Sequence, residues 1–248
     1  MNKGLSFFIF VVAFLISFLN SKIALAATEA TYCADCDNSE NSTLGNLEDD
    51  IQRNLHTVNE PFTQVRHVQK IMKWHDRCEN FATDNGQGQW SNAVYSSFVI
   101  SPLSHLLDGT KDLLQICPRF NQLNVREQVT VYTVLINAMT YYESGCNSQV
   151  KPHRGPNGIL SGILQLHLGR ENDYHPSCNV NDSKNPKRSI KCALEMLNNQ
   201  VDRTSKIFSD NSYWEVLRPY IRAGTKTKIN QNYQNIRKAI RAIPICRS

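Results

Sequence analysis

The sequence predicts a mainly α globule with at most a small β element, stabilised by disulfides. Apolar residues recur at three- and four-residue steps through most of the chain after residue 44, which is the spacing of amphipathic helices. All 8 cysteines follow a segment typical of an export signal, and an even number in an exported chain indicates disulfides. The 248 residues, with 41% hydrophobic residues, 11 Gly and 9 Pro, allow one sizeable core and exclude collagen-like, low-complexity and mostly disordered classes.

The first 26 residues have the three parts of a secretory signal peptide. Lys3 supplies the positive start, residues 7–18 are almost all apolar, and residues 24–26 form a small-x-small cleavage site. The apolar run is too short for a membrane anchor, and no later stretch is long and apolar enough to cross a bilayer. We therefore expect a secreted protein, periplasmic or extracellular, with residues 27–43 as a cysteine-containing extension and residues 44–248 as the main domain.

The cysteines favour disulfides over a metal site. They are Cys33, Cys36, Cys78, Cys117, Cys146, Cys178, Cys192 and Cys246. Cys33 and Cys36 by themselves fit a redox pair or half of a zinc site, but no second pair has zinc-finger spacing. The sequence predicts four disulfides and no metal, and it leaves their pairing open.

Charge is distributed unevenly along the chain. Without Lys3 and Lys22 the formal net charge of +5 becomes +3. Residues 27–60 carry eight acids and one arginine, whereas residues 216–248 carry eight Lys or Arg and no acid. The basic end is consistent with an anionic polymer outside the cytoplasm and equally with a solvated helix face; no nucleic-acid recognition motif accompanies it, so no nucleic acid is expected.

Four helical stretches are predicted before residue 117. The first two have apolar stripes at Leu44, Leu47, Ile51 and Leu55, and at Phe62, Val65, Val68, Ile71 and Met72. Residues 84–89 break the pattern, a third stretch runs through Val94 to Pro102, and a fourth covers residues 103–116 with a break at Asp108-Gly109.

The next helix has the clearest boundaries. Asn124 and Glu127 have the spacing of a capping box, and Gly145 is a typical helix end. Its predicted buried stripe is Val125, Val129, Tyr132, Leu135, Ile136 and Met139.

Residues 146–178 are then expected to be rich in loops, with a turn at residues 155–158. Helical spacing returns in residues 190–201, and Ser212 and Glu215 suggest a capping box that opens a short helix. The last predicted helix has its apolar stripe at Ile229, Tyr233, Ile236, Ile240 and Ile243.

Glu143, at the end of the best-defined helix, is the strongest candidate for chemistry. The negative end of the helix dipole and the apolar neighbours Met139, Tyr141 and Tyr142 would both raise its pKa. A glutamic acid that stays protonated near neutral pH can donate a proton to a glycosidic oxygen. A glutamate that simply points into water fits the local pattern as well.

Four segments together resemble the lytic transglycosylase and goose-type lysozyme superfamily. They are the apolar helix ending in Glu143-Ser144, the Gly162-Ile163-Leu164-Gln165 segment, residues 217–224, and Tyr233-x-x-Ile236. They lie in order within residues 121–242, and the third is a degraded version of the family motif. The cysteine-rich pattern is also similar to that of deacetylation-specific lysozymes.

The resemblance implies a lysozyme-like domain that cleaves the glycan strands of peptidoglycan, as a monomer and without a cofactor. Glu143 becomes the general acid and base. Gly162 and Gln165 would line the sugar groove, Tyr220 and Tyr233 would flank the glutamate, and Ser144 would bind substrate or cap locally. The alternative for Gln165 is that it only hydrogen-bonds to loop amides. The alternative for Tyr220 and Tyr233 is ordinary packing in the core or the groove. A noncatalytic cell-wall binding or lysozyme-inhibitor protein is the alternative function.

Two points are left open by the sequence. Ile221 stands where the family pattern has asparagine, which removes an amide and suggests a preference for N-deacetylated peptidoglycan; an alternative alignment around Asn230 or Asn232 restores the amide. Direct hydrolysis needs a second carboxylate, whereas transglycosylation does not. The available acids are Glu171, Asp173, Asp182 and Glu195. Trp74, Trp90 and Trp214 are expected to be core anchors, and the histidines, including His167, to lie in loops.

Overall fold

The computed structural model describes residues 61–101, 103–223 and 225–247. These residues lie within one compact unit, Asp50–Ser248. The predicted signal peptide, the extension and the helix through Leu44 to Leu55 lie outside the described residues. The described α-helices are α1 (residues 61–72), α2 (Ser91–Ile100), α3 (Ser104–Leu107), α4 (Lys111–Leu114), α5 (Val125–Ser144), α6 (Pro186–Thr204) and α7 (Gln231–Arg241).

Helix α5 lies at the centre of the core, with both predicted ends confirmed. The Asn124 side chain accepts from the Glu127 N–H, and the Glu127 side chain accepts from the Asn124 N–H. Gly145, at φ 62°, ends the helix in the left-handed conformation that glycine adopts most readily. Residues 128–140 are all buried. Val125 is 58% exposed, so its predicted burial is wrong; it is the first residue of the helix, and burial begins only at Gln128.

The other long helices pack around α5. Helices α2 and α7 both contact α5, and α2 also packs on α6. Helix α1 is joined to α5 by a buried hydrogen bond of 2.9 Å from Gln69 Nε2 to Asn137 Oδ1. Ile71 is 44% exposed, which corrects its predicted place in the buried stripe of α1. Helices α3 and α4 are separated at the predicted break, residues 108–109.

The β structure consists of three small antiparallel sheets in the described residues. They pair β1 (Ala82–Thr83) with β2 (Gly86–Gln87), β3 (His153–Gly155) with β4 (Gly158–Ser161) and β5 (Leu166–His167), and β6 (Tyr220–Ala223) with β7 (Lys226–Ile229). The predicted turn at residues 155–158 connects β3 to β4. The mainly α prediction with a small β element is confirmed.

Two local predictions after residue 210 are wrong. Residues Glu215–Leu217 form one turn of 3-10 helix without a side-chain cap, and the Ser212 hydroxyl has no partner. The proposed capping box fails because Trp214, not Ser212, precedes the turn. Ile229 belongs to β7 and is 59% exposed, since α7 begins only at Gln231.

Three disulfides hold the described part of the chain. They join Cys78 to Cys146, Cys117 to Cys246, and Cys178 to Cys192. Cys33 and Cys36 lie outside the described residues, so the fourth disulfide stays a prediction. Among the described helices, none combines the length and the apolar character needed to span a membrane.

Candidate active site

Glu143 lies in the last turn of α5 and lines a cavity of about 380 Å³. The other walls come from the β3–β4 turn, the β4–β5 segment and the residues around the 3-10 turn after Ser212. The lining residues besides Glu143 are Pro156, Asn157, Leu160, Gln165, His167, Tyr213, Trp214, Glu215 and Arg218. The structure therefore brings Glu143 and Gln165 to one cavity.

The surroundings of Glu143 favour its protonated form. Burial raises the pKa of this carboxyl most, the nearby Glu215 carboxylate raises it further, and the Arg218 guanidinium opposes both. The result is a pKa of about 7 instead of the ordinary 4.5. No hydrogen bond from another described residue stabilises the ionised carboxylate. A substantial fraction of Glu143 is therefore protonated at neutral pH and can act as a proton donor.

Ser144, Gly162 and Gln165 fix the loop that follows β4. Ser144 Oγ donates to Ile163 O at 2.9 Å, which ties this loop to the end of α5. Gly162 has φ +73°, and a Cβ at this position would lie 1.9 Å from Ser183 O, so only glycine fits. Gln165 Nε2 donates to Gly162 O at 2.7 Å, while the buried Gln165 Oε1 has no partner. Ser144 and Gly162 thus support the cavity, and neither lines it.

Tyr213 and His167 form a hydrogen-bonded pair that the sequence does not predict. Tyr213 Oη accepts from the His167 backbone N–H at 2.9 Å and donates to Gln165 O at 3.2 Å. The Tyr213 hydroxyl also lies 2.9 Å from His167 Nδ1, and which of the two atoms donates depends on the tautomer of the imidazole. His167 Nε2 is buried and has no partner among the described residues.

Trp214 and Arg218 hold the opposite wall. Trp214 Nε1 donates to Leu164 O at 2.9 Å, so the indole anchors the loop, and the ring is buried as predicted. Arg218 donates through Nε to Ser212 O at 2.8 Å and through Nη2 to Tyr213 O at 3.3 Å. Nothing in the local sequence singles out Tyr213 or Glu215 as site residues, because neither belongs to a motif with chemical meaning. Arg218 lies within the third family-like segment, residues 217–224, but the resemblance assigns it no role.

The two predicted site tyrosines are not among the residues that line the cavity. Tyr220 is 56% exposed on β6. Tyr233 lies on α7, where its ring packs edge-to-face on Phe208 with centroids 5.3 Å apart, below the Arg237 guanidinium. Ile221, at the position of the missing asparagine, is half-buried on β6 opposite Lys228 and is also outside the cavity lining.

The four acids considered as a second carboxylate are engaged elsewhere. Glu171, 1% exposed, accepts from the backbone N–H groups of Asn181 and Ser183 at 3.0 and 3.1 Å. Burial pushes its pKa upward, but these hydrogen bonds outweigh it and lower the pKa. Asp173 pairs with Arg170, Asp182 accepts from Asn179 N and faces Arg188, and Glu195 is buried in α6.

Among the acids that the structure describes, only Glu215 shares the cavity with Glu143. Within the described ranges no group of three His, Cys, Asp or Glu residues could hold a metal ion.

The fold is similar to that of three solved structures of the Bdellovibrio protein Bd0314 DslA. The wild-type form 2 gives a TM-score of 0.50 at 24% identity, over 64% of this chain and 91% of that chain. Two glutamate-to-glutamine mutants give TM-scores of 0.52 and 0.51 at 22% and 24% identity, with the same coverage. No protein-family model and no curated protein matches the chain. The likeness shows a shared fold.

Proposed function

We propose that this protein is a glycosidase of the lysozyme or lytic transglycosylase type that cleaves the glycan strands of peptidoglycan. The observation that carries the proposal is Glu143, held at a helix end in a cavity, free of hydrogen bonds and with a pKa of about 7. Glycosidic cleavage requires a protonated carboxylic acid beside the leaving oxygen, at a pH where an ordinary glutamate is ionised. Glu143 meets this requirement.

Three further observations support the proposal. The order of the motifs around Glu143, Gly162 and Gln165 resembles the transglycosylase and goose-type lysozyme superfamily. The solved neighbours of similar fold include two in which a glutamate has been replaced by glutamine, the substitution used to remove a carboxylic acid at little change of shape. Peptidoglycan outside the cytoplasm is also the substrate that agrees with the predicted export signal.

The cavity offers two routes after protonation of the leaving oxygen. In transglycosylation the substrate's own 6-hydroxyl attacks, and Glu143 serves first as acid and then as base. In direct hydrolysis a second carboxylate activates water, and Glu215 is then the acid in position to do so. The two routes leave different ends, 1,6-anhydro sugars or reducing sugars.

The test is digestion of purified cell walls, followed by mass spectrometry of the released fragments. We expect loss of turbidity with the wild-type protein and none with Glu143→Gln. Reducing ends that disappear in Glu215→Gln indicate hydrolysis, whereas 1,6-anhydro ends that persist in this variant indicate transglycosylation. Wall binding without any cleavage by the wild type would replace the proposal with the noncatalytic wall-binding function.

We also propose that the enzyme prefers N-deacetylated peptidoglycan. Ile221 does not carry this proposal, since it lies outside the cavity lining. The cavity wall does: Gln165 Oε1 is a buried acceptor without a partner among the described residues, and Glu215 adds an exposed carboxylate. A protonated amine offers only donors, whereas an acetamide brings a carbonyl oxygen that costs about 1 to 3 kcal/mol if it is buried without a donor.

Matched cell walls, one batch treated with a deacetylase and one untreated, test this preference. We expect faster clearing of the treated batch by the wild type, and a smaller difference between batches for Glu215→Gln. Equal or faster clearing of the untreated batch would contradict the preference while leaving the cleavage reaction intact.

A further inference from the structure

The hairpin of β6 and β7 is an exposed cationic element attached to the wall of the cavity. Its two strands pair mainly with each other, and every residue of β7 is exposed. Arg222, Lys226 and Lys228 are exposed and form no ion pair with any described residue. Residues 216–248 contain no acid, so nothing within this part of the sequence neutralises the hairpin.

One face of the hairpin also carries unpartnered apolar surface. Tyr220 and Ile229 lie directly opposite each other across the strands, and they are 56% and 59% exposed. Arg222 lies on the same face, opposite Thr227. The exposed Tyr220 ring and the Arg222 guanidinium together provide a flat apolar surface and hydrogen-bond donors, which suits the apolar face of a sugar that carries anionic substituents. Lys226 and Lys228 project from the opposite face of the hairpin.

The base of the hairpin is bonded to the segment that carries Glu215, one of the two acids that line the cavity. Asn230 Nδ2 donates to Glu215 O at 2.7 Å, and the Asn230 N–H donates to Pro219 O at 2.9 Å. Arg218, which lines the cavity, is two residues before Tyr220. A polymer that is bound in the cavity and extends beyond it past Arg218 therefore contacts the hairpin.

We infer that the β6–β7 hairpin is a secondary binding arm for the peptidoglycan strand, with Tyr220 contacting a sugar ring. Arg222 on the same face, and Lys226 and Lys228 on the opposite face, contact carboxylates of the wall peptides on either side of the hairpin. The identity of the polymer rests on the proposed function. The charge complementarity rests on the hairpin alone, because three unpaired cations without a nearby acid on their own segment attract polyanions at distances up to a Debye length.

The experiment measures co-sedimentation with purified peptidoglycan in the Glu143→Gln background, so that the walls stay intact. The triple variant Arg222→Glu, Lys226→Glu, Lys228→Glu should bind at least about tenfold more weakly at low salt. The matched control reverses three exposed lysines at the start of α6, Lys184→Glu, Lys187→Glu and Lys191→Glu, and should stay within about twofold of the parent. Both triple variants change the net charge equally, so a difference between them isolates the position of the charges.

Two additional measurements define the ligand. Walls whose carboxyl groups have been amidated should bind the Glu143→Gln parent protein as weakly as untreated walls bind the hairpin triple variant. Tyr220→Ala should lower binding by about threefold, with little dependence on salt, because the ring contact is apolar. Circular dichroism of each variant confirms folding before binding is compared.

Equal losses for the two triple variants, or full binding of the parent to amidated walls, would overturn the inference. Stronger binding of the parent to anionic lipid vesicles than to walls, lost in the hairpin variant, would also overturn it and assign the hairpin to a membrane surface. Because the readout is binding, failure of the catalytic proposal appears separately, as wall clearing that persists in Glu143→Gln.

Discussion

Two buried glutamates, one at the end of α5 and one in the segment after β5, have pKa values shifted in opposite directions. Glu143 and Glu171 are both desolvated, which raises the pKa of any carboxyl. Glu171 accepts hydrogen bonds from two backbone amides, and its pKa is lowered. Glu143 has no such donor and a carboxylate neighbour, and its pKa is raised to about 7. Burial therefore raises the pKa of a carboxyl group enough for proton donation at neutral pH only where no hydrogen-bond donor stabilises the ionised form.

The largest expected effect separates the two glutamates by activity. Glu143→Gln should lower the rate of wall cleavage by about a thousandfold or more, because it removes the proton donor while keeping the shape. Glu171→Gln should lower it by less than about tenfold, because this side chain only holds backbone amides. Initial rates of turbidity loss, measured well below the melting temperature of each variant, provide the comparison. A larger loss of cleavage rate in Glu171→Gln than in Glu143→Gln would show that Glu143 is not the general acid.

The second effect separates them by the pH dependence of stability. The pKa of Glu143 is higher in the folded state, about 7 against 4.5, so its contribution to stability is present below pH 4.5 and is lost as pH rises through about 7. The loss amounts to about 3 kcal/mol. Glu143→Gln should therefore gain stability relative to the wild type as pH rises from 4 to 8, measured by urea unfolding.

Glu171→Gln should show the opposite trend. The lowered pKa of Glu171 means that the ionised form stabilises the fold at pH values above the ordinary range of glutamate, and that this stability is lost in acid. The variant should be less stable than the wild type by about 1 to 3 kcal/mol at neutral pH, with the difference narrowing toward pH 3. If the free energies of unfolding of the two variants, each relative to the wild type, changed with pH in the same direction, the environments of Glu143 and Glu171 would not differ as the structure indicates.

The smallest effect concerns the charges beside Glu143. Glu215 raises the pKa of Glu143 and Arg218 lowers it, so their removal should move the alkaline limb of the cleavage profile in opposite directions. Glu215→Gln should shift this limb to lower pH and Arg218→Gln to higher pH, each by about half a unit, because solvent screens both charges. The dependence of kcat/KM on pH measures the shifts. Arg218→Lys keeps the charge and serves as the control, which should retain the wild-type limb.

The sequence alone determined the features that depend on neighbouring residues. The capping box at Asn124 and Glu127 and the left-handed stop at Gly145 lie at the two ends of one helix, so residue type and spacing suffice to predict them. Glu143 was therefore placed correctly at a helix end among apolar residues. The predicted buried stripe was incomplete, because residues 128–140 are buried on every face and Val125 is exposed. That the cysteines form disulfides was predictable from their even number after a predicted export signal, but their partners were not.

Tertiary structure decided which other groups reach Glu143. Tyr213, Glu215 and Arg218 lie about 70 residues further along the chain, and His167 takes its orientation from Tyr213 across a separation of 46 residues. The ionisation of Glu171 depends likewise on amides 10 and 12 residues away, held by a loop of no regular period. Residue type fixes what a side chain can donate or accept, whereas its pKa and its partners depend on groups that only the packed fold brings within a few ångströms.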